Sequence, residues 1–344
     1  MADLRPKRIR EVAARLRVEP GRTVRLARDF DPAFRFRADP IGKAELKQLL
    51  AKGIELLAEY QMRLAAQDTY GVVVVLQAMD AAGKDGTIRH VMSGVNPQGV
   101  EVRSFKIPTS EELDHDYLWR YQRRLPERGH IGIFNRSHYE EVLVVRVHPQ
   151  ILQGQKVPPS AKRGDVWKRR FREINDWERY LTDNGFRFVK MFLNLSREEQ
   201  RRRFLARIDV PEKNWKFSAN DAKERVRWDD YQRAFSDVLS NTSTSWAPWH
   251  VIPADDKPFA RVAAAAVLAD TLIDIDPKYP KVSAQAREAL QAAKVELEAE
   301  APDGVARDPI EAELAEAKAS KAEKKAKRMA EKEAEKEAAS TAEG

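Results

Sequence analysis

VVVVLQAMDAAGKDGTIRH, residues 72–90, joins an apolar, β-branched run to a turn of small residues and then to a helical pattern. Strand, tight turn and helix in that order make a phosphate-binding loop, whose usual form is G-x-x-x-x-G-K-[ST]. Counting back from Gly83-Lys84, Ala78 holds the first glycine position, and Asp85 holds the hydroxyl position after the lysine. The physics of such a loop asks for less than the formula. A buried strand must end at the site, small side chains must let the backbone approach, and a helix N-terminus must aim free N–H groups at an anion. Residues 72–77 supply the strand, and Ala78, Ala81, Ala82, Gly83 and Gly86 supply the small side chains. Lys84 is a cation able to follow charge on a transferring phosphoryl group, and Thr87 places a hydroxyl one turn into the helix. Asp80 would repel phosphates unless a divalent cation sat between them, which points to Mg²⁺ held from this side. Asp85 complements the helix dipole. The competing reading is an ordinary βα turn with an incidental Gly-Lys pair. The strand, small residues, lysine and second glycine in one register favour the phosphate loop.

Outward from this stretch the chain alternates. Apolar, β-rich segments recur at 72–77, 101–105, 131–134, 186–193 and 249–252. Helical patterns lie near 42–66, 85–94, 111–123, 138–145, 165–183, 197–207, 219–239 and 257–274. Five strands separated by helices predict an α/β fold, a mostly parallel sheet covered on both faces. Such sheets bind ligands beyond the carboxyl ends of their strands, where residues 78–87 and 135–140 would both lie. Three regions are expected: a basic, irregular N-terminal arm over 1–40, a core domain over 41–282, and an Ala/Glu/Lys-rich tail over 283–344. The tail has high helix propensity but hardly a residue able to build a core, so a solvated helix or disorder is expected there.

The 344 residues include 61 Lys and Arg against 54 Asp and Glu, a net charge of +7, which suits an anionic partner. The chain has no cysteine, which excludes disulfides and thiolate metal sites and favours a reducing compartment. No apolar run is long enough to cross a bilayer, and the charged first twenty residues carry no secretory signal; a cytoplasmic protein is expected. The six histidines show no metal-ligand spacing, and neither a G-x-S-x-G elbow nor a dinucleotide fingerprint occurs.

Two further stretches bear on phosphate. GIFNRSHYEEVLVVRV (132–147) is again strand, polar turn and helical run, with Asn135 at the place of a Walker-B carboxylate, then Arg136, and Glu140 about a turn on. Asn135 accepts a metal-bound water but adds no charge, so Asp80 or Glu140 must carry more of the metal binding; Ser137 also suits a helix N-cap. Residues 194–231 begin with the capping box Ser196-x-x-Glu199, break at Pro211 and restart at Ser218-x-x-Asp221. Two helices joined by a basic linker holding Lys213 and Lys216 form a hairpin suited to a lid over about 196–230. Of Arg201, Arg202 and Arg203, at most two face the same way at 100° per residue. Arg120 and Arg124 belong to a second basic cluster.

QAMDAAGKDGTIRHVMSGVNPQGVEV, DHDYLWR, IGIFNRSHYEEVLVVRVHP, FREINDWERYL, FLNLSREEQRRRFLARIDVPEKNWKFS and TSTSWAPWHVIPADDK follow one another in an order that resembles the polyphosphate kinase 2 family, over about residues 30–280. The resemblance implies a P-loop kinase fold with a helical lid, Mg²⁺ dependence (Mn²⁺ as the alternative), and transfer of phosphate between inorganic polyphosphate and nucleotides. It places the family's Walker-A Asp and Lys on Asp80 and Lys84, its Walker-B pair on Asn135 and Arg136, and its lid arginines within Arg197 to Arg207. Asp80, Lys84 and Arg136 are then the catalytic candidates. Ala81, Ala82, Gly83, Asp85, Gly86, Thr87, Asn135, Arg120, Arg124, Arg201, Arg202, Lys213 and Lys216 are the candidates for phosphate or nucleotide binding. Asp80 would hold the metal, with Asn135 through water and Glu140 as further candidates. The wording of 92–99 and 135–140 is similar to the branch acting on AMP and ADP, and the resemblance implies a homo-oligomer, dimer or tetramer. An ATP-dependent nucleoside monophosphate kinase on the same fold is the alternative. A nucleic-acid-binding role is disfavoured, since no aromatic-and-glycine signature is present.

Overall fold

The computed structural model describes residues 6–36, 41–300 and 320. The chain forms two units, Met1–Pro280 and Lys281–Gly344. In the first, strands β1 (Gly71–Ala78), β2 (Val100–Ser104), β3 (Ile131–Asn135), β4 (Phe186–Asn194) and β5 (Trp249–Pro253) form a parallel sheet. Their order is β2-β3-β1-β4-β5. The longer helices are α1 (Pro6–Leu16), α2 (Lys43–Gln67), α3 (Lys84–Val91), α4 (Val166–Asp183), α5 (Arg197–Asp209), α6 (Trp228–Thr242), α7 (Lys257–Ile275) and α8 (Ala284–Ala299).

The central strand explains its own sequence. With β3 on one side and β4 on the other, β1 is buried on both faces, so it reads as a continuous apolar run rather than an alternation. Val72, Val74 and Leu76 enter one core layer with Ile9 and Leu16 of α1, Leu57 and Leu64 of α2, and Leu268 and Leu272 of α7. Val73 and Val75 enter the other with Phe171 and Ile174 of α4 and Phe235 and Leu239 of α6. Helices thus cover both faces, as expected of this sheet. Close packing fixes two glycines: a Cβ on Gly71 would lie 2.6 Å from the Phe186 ring, and one on Gly132 would lie 2.8 Å from Pro126.

The connection from β1 leads outward past β3 to β2, whereas that from β3 leads across β1 to β4. The carboxyl ends of β1 and β3 therefore flank a topological switch point, where open α/β sheets take their ligands. Residues 78–87 and 135–140 both lie there.

Some expected elements differ. Residues 6–16 of the arm are not irregular but helical, and Ile9, Ala13 and Leu16 are buried at spacings of four and three. Residues 37–40 of the arm lie outside the described residues. The pattern at 111–123 resolves into short turns, Ser110–Leu113 and Trp119–Gln122, interrupted where His115 stacks on Trp119. The pattern at 138–145 is a 3₁₀ turn, His138–Val142, followed by Val144–Val147, with Leu143 outside helical geometry at φ −111°, ψ −82°. The run expected at 219–239 breaks at a 3₁₀ turn, Arg225–Arg227, before Trp228 turns into the core. In the second unit, α8 buries none of its residues; residues 301–319 and 321–344 of the expected tail lie outside the described residues.

Candidate active site

The loop after β1 is tight because two of its residues adopt left-handed backbone, Ala81 at φ 64° and Gly83 at φ 106°. Glycine does this freely; alanine does it at a cost, and such strain gathers at functional sites. The first bond inside α3 runs from Thr87 N–H to the Gly83 carbonyl at 2.9 Å. The N–H groups of Lys84, Asp85 and Gly86 therefore have no partner within the helix, the arrangement by which helix N-termini take anions. Lys84 turns its ammonium back to the Ala78 carbonyl at 3.1 Å, at the end of β1. Burial pulls its pKa below the usual lysine range, and the Asp80 carboxylate opposes that.

The turn after β3 approaches the same point. Arg136, also left-handed at φ 65°, donates its N–H to the Leu76 carbonyl at 3.2 Å. Its guanidinium sits 3.2 Å from Asp80 Oδ1 and 3.7 Å from Glu140 Oε2. Asn135 Nδ2 donates to Asp85 Oδ1 at 2.7 Å, which ties the two loops together. Burial pushes the Glu140 carboxyl up, against the pull of Arg136 and Lys84.

Above these loops lies a cleft of about 760 Å³. Asp80, Ala81, Ala82, Gly83, Lys84, Asp85, Gly86, Thr87, Asn135 and Arg136 line it, and from the 3₁₀ turn Pro211–Lys216 after α5 come Lys213 and Lys216. Among its lining residues cations outnumber carboxylates nine to three, and none is a histidine. That balance suits a highly charged anion.

Five expected residues stand outside the lining of this cleft. Arg120 is buried, donates to the Lys106 carbonyl at 3.0 Å, sits 3.3 Å from Glu112 and covers the Phe105 ring. It braces the segment after β2 rather than lining the cleft, and Arg124 is exposed and also outside the lining. Arg201 pairs with Glu198 and Arg202 with Glu198 and Glu199, both on the outer face of α5. Arg203 is the inward member of the triplet. Only 6% exposed, it donates to the carbonyls of Ala81 (3.1 Å), Ala82 (2.8 Å), Ala254 (2.6 Å) and Asp255 (3.2 Å). It thus holds the loop's carbonyl side while the N–H side faces the cleft. Glu140 lines a smaller cavity of about 50 Å³ on the far side of the Asp80–Arg136 pair.

Arg207, at the end of the stretch expected to hold lid arginines, lines the cleft; Lys106, Asp221, Lys257 and Arg261 line it too and were not among the expected site residues. Lys106 follows β2, and Lys257 and Arg261 share the first turns of α7 just beyond β5. The rule that ligands gather at the carboxyl ends of strands would have singled them out. Asp221, in the segment after Pro211, brings a further carboxylate toward Asp80; burial and the Asp80 charge push its pKa up.

Among the described residues no group of three or more acidic or histidine side chains stands ready to hold a metal. The donor set nonetheless fits Mg²⁺, which usually keeps its waters and takes one or two carboxylates together with substrate phosphate oxygens. Asp80, partly exposed on the cleft, is such a carboxylate. No described helix is long and apolar enough to cross a membrane.

The polyphosphate kinase 2 (PPK2) family pattern matches residues 41–280. The chain is 52% identical over 259 residues to an ADP-polyphosphate phosphotransferase of Rhodopseudomonas palustris, covering 74% of this chain and 90% of that relative. It is 43% identical over 266 residues to an AMP/ADP-polyphosphate phosphotransferase of Meiothermus ruber, covering 77% and 94%. The crystal structure of polyphosphate kinase 2 from Arthrobacter aurescens TC1 matches with a TM-score of 0.72 at 40% identity, over 82% of this chain and 96% of that one. The parallel sheet, the phosphate loop at its switch point and these matches agree: the chain belongs to the polyphosphate kinase 2 family and has the P-loop kinase fold.

Proposed function

We propose that this protein is a Mg²⁺-dependent enzyme that transfers phosphoryl groups, reversibly, between inorganic polyphosphate and nucleoside mono- and diphosphates. The observation that carries the reading is the cleft at the β1–β3 switch point, lined by nine cations against three carboxylates. A terminal phosphate oxygen of the nucleotide attacks the terminal phosphorus of polyphosphate. A new P–O bond forms as the bridging P–O bond breaks, and the shortened polyphosphate leaves with the electron pair. The attacking oxygen is already anionic, so no general base is required, in keeping with a cleft lined by no histidine. Lys84, Arg136 and the N–H groups at the start of α3 neutralise charge spread over the transferring group. Arg207, Lys213, Lys216, Lys257 and Arg261 hold the polyanion in line. Asp80 would hold Mg²⁺, with Asn135 acting through water, and the metal supplies further neutralisation of the phosphate oxygens. A cytoplasmic location, beside the nucleotide pools, belongs to this proposal and accords with the absence of cysteine.

Purified protein incubated with Mg²⁺, long-chain polyphosphate and ADP or AMP, without ATP, tests the reading by ion-exchange analysis of products. ATP from ADP, above a blank without polyphosphate, is expected; ADP and then ATP from AMP would show that the enzyme phosphorylates both mono- and diphosphates in two steps. No product from either, together with ADP formed from ATP and AMP, would replace the proposal by the monophosphate-kinase alternative.

A further inference from the structure

The turn that carries Arg136 is fixed from beneath. Its next residues, Ser137, His138 and Tyr139, have no exposed surface. Ser137 Oγ accepts from Gln77 Nε2 of β1 at 3.1 Å. His138 and Tyr139 both reach Glu178 of α4: the Tyr139 hydroxyl donates to Glu178 Oε1 at 2.8 Å, and His138 Nε2 lies 3.3 Å from the same oxygen. The other carboxylate oxygen accepts from Lys190 Nζ of β4 at 2.6 Å. Lys190 uses its remaining donors on the Tyr139 hydroxyl at 2.8 Å and the Thr242 carbonyl at 2.7 Å. Both charged side chains are 0% exposed.

A buried ion pair is a poor way to stabilise a core, since apolar side chains of similar volume often serve as well or better. What it provides here is geometry. Apolar packing lets a turn slide by fractions of an ångström, whereas one carboxylate holding two consecutive residues of the turn fixes its register. Arg136 stands two residues before His138, in left-handed backbone that the turn must sustain. We propose that the Lys190–Glu178 pair is a positioning device for phosphoryl transfer, setting Arg136 against Asp80 through His138 and Tyr139. Neither Lys190 nor Glu178 lines the cleft, so both act through the turn. The inference rests on the role assigned to Arg136 above.

Tyr139→Phe removes one hydroxyl and keeps the ring. It is expected to lower kcat about 10- to 100-fold, the scale of a small misplacement of reacting groups, in a variant that still folds, with Tm lowered by the few degrees that one buried lysine donor left without its partner costs. KM for both substrates should stay within about twofold. The double variant Glu178→Met with Lys190→Met is expected to match or exceed the wild-type Tm and still lose kcat. In an Arg136→Ala background Tyr139→Phe should cost nothing further. Wild-type kcat in Tyr139→Phe, or an undiminished effect of that substitution without Arg136, would overturn the inference. Should the double variant not fold, the Tyr139→Phe and Arg136→Ala cycle decides alone. Full activity in Arg136→Ala would instead sink the reading of the site itself, and so the two failures are told apart.

Discussion

Replacing Arg203 by methionine tests how the phosphate loop is held in its strained shape. Methionine restores much of the aliphatic volume, so the cost falls on the groups that lose their donor. Four backbone carbonyls and Glu199 Oε1, the last at 2.8 Å, are left behind. Ala82 and Ala254 accept the shortest bonds among the carbonyls and are 4% and 0% exposed, so water does not replace the guanidinium there. A hydrogen bond to a charged group contributes about 1.5–3 kcal/mol. Counting the two short bonds fully and the two longer ones as weak gives a loss of about 4 kcal/mol, within the range for breaking a buried charged network. Urea unfolding followed by circular dichroism should show it as a lower midpoint at unchanged slope. Arg203→Lys keeps the charge without the fork, so a smaller loss of about 2 kcal/mol is expected. With the carbonyl side released, Ala81 relaxes from its φ of 64°, and kcat should fall even where the variant is fully folded. A methionine variant within about 0.5 kcal/mol of wild type, the range of ordinary surface changes, would refute the strap.

Three other perturbations have defined outcomes. His250 of β5 is buried, and burial lowers its pKa from 6.5 to about 4. The folded state thus keeps it neutral while the unfolded chain gains a proton, so stability is lost as pH falls through that window, by about 3 kcal/mol in full. His250→Gln should flatten this acid limb in denaturation curves; identical slopes in variant and wild type would exclude the cause. Gly71→Ala sets a methyl 2.6 Å from Phe186, an overpacking cost of about 1–3 kcal/mol that Phe186→Leu should partly relieve when Tm values are compared. Removing the chain after Pro280 deletes α8, which buries no residue, so kcat and Tm of the remaining unit should be unchanged; loss of either would show that the tail serves the enzyme.

Reading depth varied with how local the physics was. All five strands were legible to within a residue or two: β1, β3, β4 and β5 are buried and announce themselves in short apolar runs, whereas β2 is an exposed edge strand whose sign is the alternation of its two valines with polar residues. The central loop was legible despite Ala78 and Asp85, since small residues, Lys84 and a helix start are all that an anion cradle requires. Helix α1 was not read, although Ile9, Ala13 and Leu16 carry its period, because basic residues surround them and the apolar stripe is narrow. Helical periodicity limits how many of Arg201, Arg202 and Arg203 share a face, but only the position of Ala81 and Ala82 decides that Arg203 turns inward. Arg120 looked like a surface cation because nothing local reveals Glu112 and the Lys106 carbonyl beside it. The pairing of Lys190 with Glu178 joins a strand to a helix, and a lysine within an apolar strand gives no sign of which carboxylate meets it.

The most direct test of the central claim, that the cleft around Lys84 transfers phosphate from polyphosphate, is kcat/KM for ADP phosphorylation by wild type and Lys84→Ala. Lys84 both bonds the end of β1 and lines the cleft, so the comparison is made at matched Tm and circular dichroism. A fall of at least about 100-fold in a folded variant is predicted, the scale of losing one preorganised charge at a developing anion. Activity retained within about twofold would contradict the account, because a charge that does not alter the rate is not stabilising the transition state.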